Sequence, residues 1–422
     1  MTQRMLVATR TTFRSLRTRN FRLFFAGQLT SQVGTWMQSV AIVWVVLDLT
    51  DSGVALGLVM AAQFLPMLLF GPWTGLLADR VDRHRLMIGT QIAFTLLALA
   101  FSVLMLSGHG SVAAMYALSG VFGIITALDN PTRRALVSEL VAAEDVPNAV
   151  GLNSALMTGS RVVGPALAGA LIAGPGVTWN FVVNAVTYLA VIVALLRMDR
   201  SAFRPAPRLA KAKGQLREGF RYMWHTPELR LSLLLVAVVG VAAFNFQVTL
   251  PLLAERTFEG GATAFTMLFA TLSTGSLVGS LTVARRRDVD VAFLARAGAG
   301  MSIALFALAS APALPLALVA ALPVGYFGMF VMSGSNALIQ LHADPSMRGR
   351  VLAVTAMLFL GSTPIGGPIL GWIAEVANAR VAVAVGGAAT VLAAIWVFRR
   401  LRSVEAGQHD ELTPSPEPLA AA

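Results

Sequence analysis

The sequence predicts an all-α membrane protein of twelve transmembrane helices in two pseudo-symmetric six-helix bundles, and three observations carry that prediction. Hydrophobic residues make up 56% of the chain and charged residues 13%, with a mean hydropathy of +0.72, whereas a soluble domain carries about 25% charge. Twelve apolar stretches come near the roughly 20 residues a helix needs to cross about 30 Å of hydrocarbon. Basic residues collect at alternate ends of those stretches. The net charge of +11 is therefore a signal of orientation, and no nucleic-acid partner is read from it.

The spans fall at 21–47, 54–77, 86–106, 112–128, 148–173, 178–196, 231–253, 262–284, 291–310, 314–339, 350–374 and 380–398. An even number of crossings puts both termini on one side. That side gathers Arg4, Arg10, Arg14, Arg17, Arg19 and Arg22, the loop with Arg80, Arg83 and Arg85, Arg133–Arg134, the segment 197–230, Arg285–Arg287, Arg348, Arg350, Arg399, Arg400 and Arg402. Only Arg256 and Arg380 lie opposite. The positive-inside rule makes the crowded side cytoplasmic, where basic tracts lie against anionic lipid. An Ala- and Arg-rich composition with only Lys211 and Lys213 as lysines suggests a GC-rich bacterial genome, hence the bacterial cytoplasmic membrane. The expected organisation is a cytoplasmic segment 1–20, a bundle 21–196, a linker 197–230, a second bundle 231–398 and a disordered tail 399–422.

The elements follow in order. Met1–Arg22 alternates arginine with Phe13, Leu16 and Phe21 and lacks the apolar core of a signal peptide; it is expected along the inner membrane surface. In the first span, Gly27, Ser31, Gly34 and Gln38 share one helical strip with Gln28, Gln32, Thr35 and Ser39 beside it. Glutamines facing lipid would be costly, so this face sees either a substrate cavity or hydrogen-bonding helices. The second and third spans are joined by Gly75–Arg85, a tight charged hinge. The fifth span carries Gly151, Ser160, Gly164, Pro165, Ala168 and Gly169, small residues that let helices approach, with a proline that loosens the backbone. It also holds Arg161, about 20 Å along the helix from Asn148 at 1.5 Å per residue. A charge at that depth is a functional hypothesis: it binds an anionic substrate, answers a nearby proton-carrying carboxylate, or ties structurally to Gln28 and Gln32. Asp48 and Glu375 lie near outer ends and Asp129 near an inner end, so the proton carrier is unassigned.

The linker ends in GQLREGFRYMWHTPEL, which reads as an amphipathic helix lying on the membrane. Beyond it, Asn245 and Gln247 in the seventh span and Ser333 and Asn336 in the tenth repeat the cavity pattern, with Phe244, Phe246, Tyr326 and Phe330 as aromatic wall or packing. Gly275 and Gly279 in the eighth span form a small-residue pair suited to the fifth. Arg296 begins the ninth span, where it can snorkel to the basic face. The tail has Pro414, Pro416 and Pro418 in a polar setting, a disorder signature. The halves also echo one another: Gly159–Gly169 aligns with Gly361–Gly371 at an offset of 202 residues. No cysteine exists, and His84, His109, His225, His342 and His409 fall outside the spans without ligand spacing and are expected to be solvated. Neither metal, cofactor nor enzyme chemistry is expected. With two lysines there is no GxxxxGK[ST] loop, so energy is expected from an ion gradient.

Gly75-x-Leu77-Ala78-Asp79-Arg80-x-x-Arg83 resembles the signature of the major facilitator superfamily between its second and third helices, with Asp82 where glycine is usual. The fifth span is similar to the glycine–proline signature of that family's antiporters. The phrases RNFRLFFAGQLTSQVGTWMQSVAIVWVV, TRRALVSELVAAEDVPNAVGLNSALMTGSRVVGPALAG and FRYMWHTPEL resemble the bacterial secretion-effector branch, which includes siderophore and macrolide exporters coupled to protons. The resemblance implies the major facilitator fold, a cavity lined by the first, fourth, seventh and tenth helices, and a proton-coupled exporter of a lipophilic or siderophore-like compound, working as a monomer. It further implies a relay of Asp79, Arg83 and Asp129 at the inner gate, with Asp79 facing the N-terminus of the eleventh helix. An importer of the same fold, or a sensor or lipid translocase, is the alternative.

Overall fold

The computed structural model describes residues 12–204, 215–286 and 288–412, without side chains at 72, 75, 76, 78, 79, 215 and 404–412. Six long helices form the first half: α1 Arg19–Thr50, α2 Gly53–Arg80, α3 Arg83–Leu106, α4 Val112–Glu139, α5 Val146–Ala173 and α6 Thr178–Leu196. A short α7, Gln215–His225, leads into α8 Pro227–Ala242, α9 Phe246–Arg256, α10 Gly261–Ala284, α11 Val291–Ser310, α12 Leu314–His342, α13 Arg348–Val376 and α14 Ala379–Leu412. Among the described residues twelve segments are long and apolar enough to span a membrane. The seventh combines α8 and α9.

The helix starts follow from local chemistry. Ser52, Asp82, Ser111 and Asp290 each accept a hydrogen bond from an amide of the first turn, satisfying a donor that has no partner within the helix. Pro147 and Pro227 occupy first turns, where the missing N–H costs nothing. Asp82 explains its departure from the usual glycine: besides capping α3 it pairs with Arg200 of the segment after α6. Burial pushes its carboxyl upward, but the Arg85 amide and Arg200 outweigh that and hold it below the ordinary carboxylate range.

Within each half, α1 packs on α5 and α6, α2 on α4, and α3 on α6, and the second half repeats the pattern as α10 on α12 and α11 on α14. The halves meet along α2 and α13 and along α5 and α10. The repeat seen in the sequence is realised in packing. Gly164 lies against Trp36 and Val33 of α1, and its equivalent Gly366 lies against the Val241 carbonyl of α8. Gly169 meets Thr266 across the halves, and its equivalent Gly371 meets Gly53 across the halves.

The two halves close at one end and part at the other. At the end opposite the basic loops, Glu375 accepts hydrogen bonds from the Ser52 hydroxyl and, at 3.1 Å, the Val54 amide, while Arg256 pairs with Asp51 at 3.2 Å. Toward the basic end α2 stays in touch with Gly361 as far as Leu68 and then exposes Leu69, Phe70, Trp73 and Leu77. Gly151, near the basic end of α5, has no atom within 4 Å of its Cβ position, whereas Gly169 at the far end meets Thr266 of the other half, so the space between the halves opens toward the basic face.

Several expectations change. The seventh span breaks at residues 243–245 because Asn245 turns its amide onto the Gly240 and Val241 carbonyls, at 3.1 and 2.8 Å, leaving no continuous ladder. Gly275 and Gly279 pack on Leu322 and Tyr326 of α12 rather than on the fifth span. His84 is buried, 2.9 Å from the Leu195 carbonyl and edge-on to Phe203, not solvated. Residues Arg14–Arg17 form a turn docked where α5 begins, with Ser15 hydrogen-bonded to Asn148 and Arg14 paired with Asp145, while residues 1–11 lie outside the described residues. The last helix continues past the expected limit of 398 to Leu412, and the three tail prolines lie outside the described residues.

Candidate functional site

The fifth helix builds the site. Gly151, Ser154, Thr158 and Arg161 recur every three or four residues and so share a face. Gly151 has no atom within 4 Å of its Cβ position, Ser154 and Arg161 are exposed, and Thr158 is half-buried. The two hydroxyls bond back to the carbonyls of Val150 and Ser154, each at 2.9 Å, which keeps the strip smooth. Where the strip meets the closed end, the Arg161 guanidinium sits over the Trp36 ring of α1, 5.4 Å from its centroid. Trp36 in turn lies 5.9 Å from Phe269 of α10 in the other half.

Among the described residues Arg161 has neither a carboxylate nor a hydrogen-bond partner and lies against the Trp36 face. The expected tie to glutamines is not made, since Gln32 donates to Gln28 at 3.4 Å and the Gln28 amide nitrogen has no partner. A guanidinium carries five donors and cannot be neutralised. Held inside a span beside an indole, such a cation has the chemistry to take up an anion. The aligned position in the second half is Thr363, so the cation belongs to one side of the cavity alone.

The first helix was expected to line the cavity, and most of its polar strip does not. Gln38 is buried and accepts from Asn184 of α6 at 2.9 Å, Thr35 meets the Tyr188 hydroxyl at 3.0 Å, and Gly34 sits against Asn184 and Thr187. Gln28, Ser31 and Gln32 are buried as well. Interhelical hydrogen bonding, the alternative use of such a face, accounts for Gln38 and Thr35, whereas Gln28 and Gln32 bond to each other along α1. Asn245 is buried at the break, Gln247 and Ser333 are half-buried, and Asn336 is exposed. Tyr326 packs in an aromatic cluster, 4.4 Å from Phe330. Sequence reasoning missed Ser154 and Thr158, whose spacing from Arg161 carried the signal, and Trp36, which only the packing of α1 on α5 brings to Arg161.

At the basic face, Gly75 and Asp79 lie outside the described side chains. Arg80 is exposed. Arg83 pairs with Glu139 at the end of α4. Asp129 is fully buried and is taken up by Arg133, by Thr90 and by Gln91, the last two at 2.8 Å. Among the described residues Asp129 is thus taken by Arg133, one turn along α4, and not by Arg83, while the relay's link through Asp79 lies outside the described side chains. Asp129→Ala is expected to lower stability by about 3–5 kcal/mol, since it leaves Arg133 buried without its anion. Thermal unfolding in detergent reads that loss, and an unchanged midpoint would remove the pair from the core. Of the fifth-span residues, Gly164 packs on α1, Pro165 is buried, Gly169 packs on α10, and Gly151 faces open space.

The chain is similar to known transporters along nearly its whole length. It is 23% identical to the staphyloferrin A transporter of Staphylococcus aureus, over 84% of this chain and 89% of that one. It is 24% identical to macrolide efflux protein A of Streptococcus pyogenes, over 82% and 87%. Among solved structures it matches a bacterial homolog of the human lysosomal transporter Spinster with a TM-score of 0.70 and 16% identity, over 92% of this chain and 97% of that one, which shows the fold. The family model described as transmembrane secretion effector matches residues 10–422, and the chain belongs to that family of major facilitator transporters.

Proposed function

We propose that this transporter is an exporter that exchanges protons for an organic anion or amphiphile, loaded from the basic face by alternating access. The observation that carries the reading is Arg161, an exposed cation deep in the fifth span, backed by an indole and lacking an anionic partner among the described residues. Loading from the cytoplasm follows from the positive-inside orientation of the open end. The name of one relative, a macrolide efflux protein, agrees with outward movement of an amphiphile. The exposed apolar residues of α2 toward the basic end and the cation together favour substrates with both an apolar body and an acidic group.

Everted membrane vesicles test this directly. Energised vesicles containing the protein are expected to accumulate radiolabelled siderophores or macrolides, and a protonophore is expected to stop accumulation. Accumulation that survives the protonophore, or uptake that runs only in the opposite direction, would overturn proton-coupled export.

A further inference from the structure

A second recess lies away from Arg161. It has a volume of about 490 Å³ and runs between Ala237 and Val241 of α8, Val354, Gly361 and Ile365 of α13, and Leu68 of α2. Its lower wall is Leu216, Arg217 and Phe220 of α7. Apart from Arg217 at one end and the Ser362 hydroxyl, the lining is apolar.

Two features say what fills it. First, from Val354 to Ile365 the recess follows twelve residues of α13, eleven rises of 1.5 Å or about 16 Å. That is about half of a 30 Å hydrocarbon core, the depth of one leaflet. Second, α7 is joined to the spanning helix α8 by Thr226 alone, so it sits at the membrane surface. Its Gly219, Tyr222 and Met223 face the bundle: Gly219 lies on Arg350, the Tyr222 hydroxyl accepts from the Asp344 amide at 3.1 Å, and Glu218 pairs with Arg350 at 2.7 Å. The opposite strip, Arg217, Phe220, Arg221 and Trp224, is exposed at spacings of three and four residues, with the two rings stacked 5.8 Å apart. Among the described residues neither arginine of this strip has a carboxylate partner. Alternating cations and aromatic rings at the level of the headgroups, above an apolar recess one leaflet deep, match the two ends of one molecule.

We propose that this recess is a binding site for an anionic phospholipid of the same leaflet, with its phosphate at Arg217 and Arg221 and one acyl chain along α8 and α13. The rings of Phe220 and Trp224 lie among the neighbouring headgroups, as amphipathic aromatic residues do at membrane interfaces. The site is separate from the Arg161 strip on α5, so it stands whether or not Arg161 binds substrate.

Native mass spectrometry of the detergent-solubilised, delipidated full chain reads the site. Each arginine near an anionic surface contributes about five-fold, so phosphatidylglycerol is expected to bind about 25-fold more tightly than phosphatidylcholine with the same acyl chains. The double variant Arg217→Gln/Arg221→Gln, altered at exposed positions alone, is expected to erase that preference by weakening phosphatidylglycerol the more, while both lipids still bind through their acyl chains. Ala237→Phe fills the recess and is expected to weaken both lipids. Millimolar inorganic phosphate is expected to displace neither, because it offers no chain. Equal binding of the two lipids by the parent protein, a preference that survives the double variant, displacement by free phosphate, or an Ala237→Phe protein that binds both lipids like the parent would each overturn the site.

Discussion

Arg161→Gln is expected to abolish active export while leaving the protein folded. Its guanidinium has no carboxylate or hydrogen-bond partner among the described residues, only the Trp36 face, so removing it strands no buried anion. The loss falls on the ligand. A hydrogen bond to a charged group contributes about 1.5–3 kcal/mol, which corresponds to about a 10- to 150-fold loss in affinity for an anionic compound. Arg161→Lys keeps the charge but loses the planar fork that stacks on an indole and grips a carboxylate or phosphate with two bonds, so an intermediate loss is expected. Efflux from loaded cells, alongside thermal unfolding of each variant, separates binding from folding. Near-normal efflux by the glutamine variant would make Arg161 a packing residue.

The second large effect is expected from one methyl group. At the closed end a Cβ on Gly371 would overlap the Gly53 carbonyl of the other half, and one on Gly57 would overlap the backbone of Pro368. Neither obstacle is a flexible side chain. Gly371→Ala therefore wedges α2 from α13, and overpacking of this kind costs about 1–3 kcal/mol. Placed on an interface that must close once per cycle, the same energy shifts the balance toward the outward-open state by about 5- to 150-fold. Gly151→Ala is the control, since nothing lies within 4 Å of its Cβ position. The chain has no cysteine, so a single Thr266→Cys, buried where α10 meets Gly169, reports closure. An impermeant maleimide added outside is expected to label it faster with Gly371→Ala than in the parent or the Gly151→Ala protein. Equal rates in all three would show that the methyl group is accommodated without opening.

The outer contacts also bear on conformational balance. Glu375 caps the first turn of α2 from the opposite half, through Ser52 and the Val54 amide, and a carboxylate at a helix N-terminus is stabilised by the backbone dipole. Its neutral amide would keep the shape and lose that charge term, so Glu375→Gln is expected to raise Thr266→Cys labelling more mildly than Gly371→Ala.

The sequence by itself determined the number of spans, the sidedness of the basic loops, the internal repeat and the presence of a cation deep in the fifth helix. These follow from length, hydropathy and the spacing of single residues, quantities that do not depend on what packs where. Tertiary structure alone decided which neighbour each face meets. The polar strip of α1 was legible as a face that avoids lipid, but only assembly shows that Gln38 and Thr35 face Asn184 and Tyr188 on α6. Gly275 and Gly279 announced a close helix contact, and the fold gave it to α12 rather than α5. Asp129 invited a pair with Arg83, yet Arg133 lies one turn away on the same helix and claims it. Periodicity specifies the direction in which a side chain points. The partner waiting there depends on how twelve similar helices are arranged, and in a bilayer apolar surface gives little preference among them. The choice falls to close backbone approach at glycines and to a few hydrogen bonds, which form only when the halves are assembled.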